Sequence, residues 1–176
     1  MPKFEPRNSE LSILTFREGL LSSIAHDLLL RPTRFWIDVR DDKSAVSVWV
    51  DAASIRVVCA MKDGVEAHHL LNARDKTKIE ETIHKTVLET SRYPDIRFES
   101  TSISGNGPYT VAGTLKLHGF SQAATAIVLH ADGKFAGEAT VHQPDYGITP
   151  YSAMMGTLKV APNVRIRVQI PEGPIA

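Results

Sequence analysis

Arg92-Tyr93-Pro94-Asp95-Ile96-Arg97-Phe98-Glu99-Ser100 leads through a short polar stretch into Val111-Ala112-Gly113-Thr114-Leu115-Lys116-Leu117-His118-Gly119-Phe120, and a third alternating run then reaches Leu129. This stretch decides the fold class. A helix-like segment ends just before it, and Pro94 pushes the residue ahead of it out of the helical region into extended backbone. Beyond Pro94 the apolar residues recur at every second position, the period of a half-buried strand. One helix followed by three antiparallel strands is the local reading.

Working outward, the same period of two recurs at Leu11 to Phe16, Arg34 to Val39, Val46 to Val50, Lys134 to His142 and Val164 to Ile170. Together with Ile96 to Ser102, Val111 to Leu117 and Ala124 to His130 this makes eight runs, predicting a mainly β, antiparallel eight-stranded barrel. Eight strands leave an interior that side chains fill or that holds one small ligand. Helical period is confined to one segment. Ile79, Ile83 and Val87 form an apolar stripe opposite Lys78, Glu80, Glu81, Lys85 and Glu89, which predicts a principal helix over Asp75 to Ser91 with Asp75 as N-cap. Asp132-Gly133 is a two-residue hairpin turn that sets Ala131 against Lys134 and His130 against Phe135. A four-residue turn from Gly119 to Gln122 joins the preceding pair, Gly113 marks a mid-strand bulge, and Met61 to Glu66 reads as a loop. The chain is one domain over residues 1–176, with residues 1–9 a loose N-terminal arm.

The order of these motifs, "Y-P-x-I-x-F" from Tyr93 and "V-x-G-T-L-x-L-x-G-F" from Val111, resembles the YceI-like family of lipocalin-like, polyisoprenoid-binding barrel proteins from about Leu11 to Ile170. Asp145-Tyr146-Gly147-Ile148 is similar to the family's C-terminal Asp-aromatic-Gly-Ile motif. Where the family carries an arginine shortly before that aspartate, this chain has Gln143 or Pro144, so no role of that arginine carries over. The resemblance implies a long apolar cavity that sequesters an isoprenoid, quinone or fatty-acid derivative.

Inward-facing candidates for such a wall are Phe35, Ile37, Val48, Val50, Phe98, Leu115, Leu117, Ile127 and Leu129. A long aliphatic tail gains about 0.8 kcal/mol per buried methylene, so it needs few polar contacts. Candidates for a head group are His26 and Asp27, a titratable pair in an apolar stretch, and Tyr146 and Tyr151, which with Met154 and Met155 offer an adaptable aromatic and thioether surface. Alternation alone does not separate a hollow barrel from a solid one. The competing reading is therefore a filled barrel acting as a structural or protein-interaction module. An enzyme built on His26 and Asp27 would need an activated nucleophile; Ser22 and Ser23 stand in no Gly-x-Ser-x-Gly elbow, so a binding protein and not an enzyme is expected.

Composition narrows the partners. Twenty basic and twenty acidic residues in 176 cancel, and no basic stripe is interleaved with aromatics, which argues against nucleic acid. With 43% hydrophobic residues the chain can bury a core without staples, and Cys59, the sole cysteine, sits in an apolar run as an inert buried thiol. Seven histidines show no ligand spacing. His68 and His69 diverge on any regular element, and His118 and His142, both set opposite Ala123 on the solvent register, stand two strand spacings or roughly 9.6 Å apart. No metal and no cofactor are expected, and a chelator should leave stability unchanged. The N-terminus lacks a signal-peptide pattern and no run approaches the ~18 apolar residues of a membrane span, giving a cytoplasmic reading, or a periplasmic one if a leader has been trimmed away. Pairing into a homodimer is left open.

Overall fold

The computed structural model describes residues 3–18, 26–156 and 158–173. Ser22 and Ser23 lie outside the described residues. The first half of the chain forms β1 (Lys3–Phe4), β2 (Glu10–Thr15), β3 (Arg17–Glu18), β4 (Asp27–Pro32), β5 (Phe35–Val39), β6 (Val46–Asp51), β7 (Ile55–Lys62) and β8 (Val65–Ala67), followed by helix α1 (Ala73–Thr82). The second half forms β9 (Asp95–Gly105), β10 (Tyr109–Leu117), β11 (Phe120–Ala131), β12 (Lys134–His142), β13 (Ser152–Ala153), β14 (Leu158–Val160) and β15 (Asn163–Pro171).

Twelve strands make one antiparallel sheet in the order β1-β5-β6-β9-β10-β11-β12-β15-β2-β4-β7-β8, and β13-β14-β3 form a small second sheet. The count of eight is thereby corrected. The extra long strands are β4 and β7, whose Leu28-Leu29-Leu30 and Val57-Val58-Cys59-Ala60 are apolar on both faces and so lack period two. Both faces are covered: Leu30, Ile55 and Val57 pack with Ile79, Ile83 and Leu88 from the helical segment, whereas Leu14, Leu29 and Cys59 form a separate outer cluster with Phe16, Val58 and Met61.

These two strands also curl the sheet. β4 runs through Thr33 and Arg34 directly into β5, and β6 runs through a 3-10 turn at Ala52–Ser54 into β7. Since β5 and β6 lie near one end of the strand order and β4 and β7 near the other, the chain ties the two ends together. The bend is held by polar contacts: the Ser54 hydroxyl accepts from the Arg34 N–H at 3.0 Å and donates to the Asp51 carbonyl at 2.7 Å, and Arg34 pairs with the Asp51 carboxylate.

Turn chemistry sets the register elsewhere. Asp132 and Gly133 take φ of 54° and 70°, and Ala131 faces Lys134 and His130 faces Phe135 as the two-residue turn requires. The β10–β11 turn is also two residues, His118 and Gly119 at φ 53° and 79°, pairing Leu117 with Phe120. The four-residue turn is corrected, and with it the placement of His118, since Ala123 faces Thr114. A Cβ at Gly119 would stand 2.8 Å from the Tyr93 ring, so glycine serves both the positive φ and the close ring. Likewise Asp63 and Gly64, at φ 53° and 78°, turn β7 into β8; the expected loop is a hairpin with Met61 facing Glu66. The register shifts at Ala112/Gly113, the bulge that a mid-strand glycine marks.

The helix starts earlier and ends sooner than its pattern suggested. Asn72, not Asp75, is the N-cap: its side chain accepts from the Asp75 N–H at 2.8 Å while Asp75 accepts from the Asn72 N–H at 3.2 Å, a reciprocal capping box. After Thr82 the last turn widens into a π-helical turn over Ile83–Val87. Two side chains seat the helical segment on β7, with Glu80 accepting from the Val57 N–H at 3.0 Å and His84 Nε2 2.9 Å from the Ile55 carbonyl.

Candidate binding cavity

The curled sheet lines a partly open cavity of roughly 1560 Å³. Its walls follow from alternation, because every second residue of each long strand points to the concave face. Ile13 of β2, Leu28 and Leu30 of β4, Val48 and Val50 of β6, Val111, Leu115 and Leu117 of β10 and Ile166, Val168 and Ile170 of β15 all border the cavity. The helical stripe Ile79, Ile83 and Val87 closes one flank. On β11 and β12 the bordering residues include the small Ala124, Ala126, Gly137 and Ala139, which leave space between the larger Val128, Phe135 and Val141. The volume exceeds the ~300–1,000 Å³ of ordinary small-molecule sites.

Six of the wall candidates border this cavity: Ile37, Val48, Val50, Phe98, Leu115 and Leu117. Phe35 is buried with Phe4 and Leu11 in the adjoining core and does not border it. Ile127 and Leu129 point the other way, 46% and 56% exposed on the convex face, which corrects their inward assignment. The pairs Val111↔Ala126 and Tyr109↔Val128 put the even-numbered residues of β11 inside. Carrying the face of Leu117 through the turn selects Ala126 and Val128 instead. The sequence pattern also missed Leu28, Leu30 and Ile55, which belong to the two-faced strands.

Polar groups gather at the two ends. At one, Lys3, Arg40, Asp41, Lys43 and Glu172 border the cavity, and the Lys43 ammonium lies 5.4 Å from the centre of the Phe135 ring. Phe135 in turn stacks on His130 at 4.5 Å, and His130 Nε2 meets Glu172 at 2.6 Å. Within this loop, hydrogen bonds from the Ser44 hydroxyl and N–H hold the exposed Asp42 carboxyl below its usual range. At the far end His26, Tyr151 and Lys159 border the cavity.

The other two head-group candidates are placed elsewhere. Asp27 Oδ1 accepts from the Arg17 N–H at 2.7 Å and so ties β3 to β4. Tyr146 is buried with Val141 and Ile148, where loss of solvent, and after it the charge of Asp145, pushes its phenol above the ordinary range. Met155 is fully exposed.

The family model for the YceI-like domain matches residues 31–171. The chain belongs to the YceI-like family. Its fold is similar to the crystal structure of Burkholderia cenocepacia BcnA, with a TM-score of 0.59 at 15% identity, covering 92% of this chain and 94% of that one. It is also similar to a polyisoprenoid binding domain from Saccharophagus degradans implicated in plant cell wall breakdown, with a TM-score of 0.56 at 12% identity over 94% of each chain. A third similar structure is the Campylobacter jejuni YCEI protein, TM-score 0.53 at 15% identity, covering 82% and 84%. No curated protein matches the chain in sequence.

In this YceI-like domain the Asp145-Tyr146-Gly147-Ile148 motif is a packing device. Gly147 takes φ 65°, and a Cβ there would meet the Phe120 ring. Gln143, near the family's arginine position, borders the cavity while its amide donates to the Ala161 carbonyl at 3.1 Å. His118, expected to face solvent, is 7% exposed: the tight turn tucks it under Tyr93 at 4.4 Å between centroids, with Nε2 2.9 Å from Glu89 and Nδ1 3.1 Å from the Tyr146 carbonyl. His142 is exposed and bonds Asn163 at 2.6 Å, so the two histidines do not converge. Cys59 is buried, and burial followed by the Glu66 charge pushes its thiol up.

Proposed function

We propose that this domain sequesters a long apolar or amphiphilic molecule, an isoprenoid, quinone or fatty-acid derivative, within the curled sheet. The observation that carries the reading is the cavity of roughly 1560 Å³ walled by aliphatic side chains from the strands and the helical stripe. An aliphatic guest gains about 0.8 kcal/mol for each methylene it buries, so such a wall binds by length and shape without a dedicated polar pocket. The head group sits at the end bordered by His26 and Tyr151, and the tail runs along Val48, Phe98 and Leu115. The likeness to a polyisoprenoid binding domain supports the ligand class, and the domain acts by binding, not by catalysis.

A solid structural module would have these faces in mutual contact, so the space between them supports the binding reading. Denaturing mass spectrometry of an organic extract from freshly purified protein is expected to release an apolar molecule in near-equimolar amount. Lipid-free protein that also fails to take up a fluorescent fatty acid would overturn the proposal and leave the module reading in its place.

A further inference from the structure

The convex face of the sheet carries a second cluster of chemistry-bearing side chains, remote from the cavity in function and built on the β7–β8 hairpin. Cys59 precedes the pair Ala60↔Ala67, Glu66 faces Met61, and His68 follows Ala67 directly. The two-residue Asp63-Gly64 turn and the ladder beyond it hold these positions in register. Cys59 Sγ stands 3.8 Å from Glu66 Oε1, His68 Nε2 stands 3.4 Å from the same oxygen, and the three atoms all lie within 4.8 Å of one another.

Ligands held at ~2.0 to 2.3 Å around a tetrahedral zinc ion stand about 3.3 to 3.8 Å apart. Both measured edges fall in that range, so a cation can be seated with small movements of two side chains. Cys59 forms the buried floor, while Glu66 and His68 are exposed and can swing to admit the ion. Glu66 also borders a recess of about 210 Å³ on this face, lined by Glu10, Arg31, Met61 and Arg167 among others.

We propose that Cys59, Glu66 and His68 form a zinc-class metal site, closed by water in the fourth position. The donor set selects the ion: a thiolate disfavours magnesium and calcium, and one sulfur, one imidazole nitrogen and one carboxylate oxygen in a tetrahedral arrangement suit Zn²⁺. On binding, the S–H bond breaks, its proton leaves to solvent and the sulfur lone pair coordinates the metal. Thiolate and carboxylate together balance the divalent charge, so the loaded site is neutral beside the apolar cluster of Leu14 and Leu29. The site is independent of the lipid cavity.

The same contacts would also exist as plain hydrogen bonds to Glu66, and cobalt(II) distinguishes the two. Titrated into the full chain, Co²⁺ is expected to produce one equivalent of thiolate-to-metal charge-transfer absorption in the near ultraviolet, abolished by competing Zn²⁺. Cys59→Ser should remove the band. Because Cys59 is fully buried, the exposed variants Glu66→Gln and His68→Gln, with folding checked by circular dichroism, provide the parallel test. Each should weaken binding by more than the ~10–100-fold lost when only an outer-shell partner is removed. Cobalt that binds without the sulfur band, or a band unchanged in both Glu66→Gln and His68→Gln, would overturn the proposal.

Discussion

Lys43 holds its ammonium 5.4 Å from the centre of the Phe135 ring, so the β5–β6 loop reaches over the end of the cavity to β12 on the far side of the curled sheet. Tyr109 packs its edge against the same ring at 6.3 Å. An exposed cation–π contact contributes only about 0.5–1 kcal/mol. Replacing Lys43 with serine should therefore leave the denaturation midpoint almost unchanged while speeding entry and exit of a fluorescent fatty acid at this end. Stopped-flow binding traces that overlay those of the parent would show that the loop does not gate the cavity.

Val48 and Leu115 flank Phe98 on one wall of the cavity, each paired with it across the sheet. A tryptophan at either position should occupy volume that a guest would use, cutting fatty-acid uptake severely with little loss of stability. In a filled core the same change would overpack and cost ~1 to 3 kcal/mol. Urea midpoints measured beside uptake separate these outcomes.

His118 has acceptors at both ring nitrogens and lies under Tyr93. His118→Asn keeps a residue that tolerates the left-handed turn but leaves the Glu89 carboxylate and the Tyr146 carbonyl without the ring. The expected cost is about 1–3 kcal/mol in chemical denaturation, with ligand affinity unchanged because His118 does not border the cavity.

Tyr146 supplies a pH signature. Its phenol binds a proton more tightly folded than unfolded, so its contribution is fully present below the unfolded value of about 10 and is lost as pH rises through the raised folded value. The parent should lose stability progressively above pH ~10, and Tyr146→Phe should flatten that decline. Thermal melts of both proteins across the alkaline range provide the check.

The legible part of this molecule was local. Period two over Val164 to Ile170, the Asp132-Gly133 turn and the stripe Ile79, Ile83 and Val87 each rest on interactions within one strand, turn or helix face, and all three appear in the structure. The same Asp-Gly signal at residues 63 and 64 lies in a stretch without alternation, yet it builds the hairpin on which Cys59, Glu66 and His68 meet.

Sequence by itself determined a mainly β chain with one helix and the residue types of its concave wall, because alternation and turn geometry follow from a few neighbouring residues. Tertiary structure alone decided the rest. β4 and β7 are covered on both faces, so their apolar runs have no period to find, and it is their continuity with β5 and β6 that curls the sheet. Whether the concave face is filled depends on how far apart the opposing strands stand. The alternating pattern is the same in both cases, and short side chains such as Ala124, Ala126 and Gly137 open space only once the sheet has curled around them.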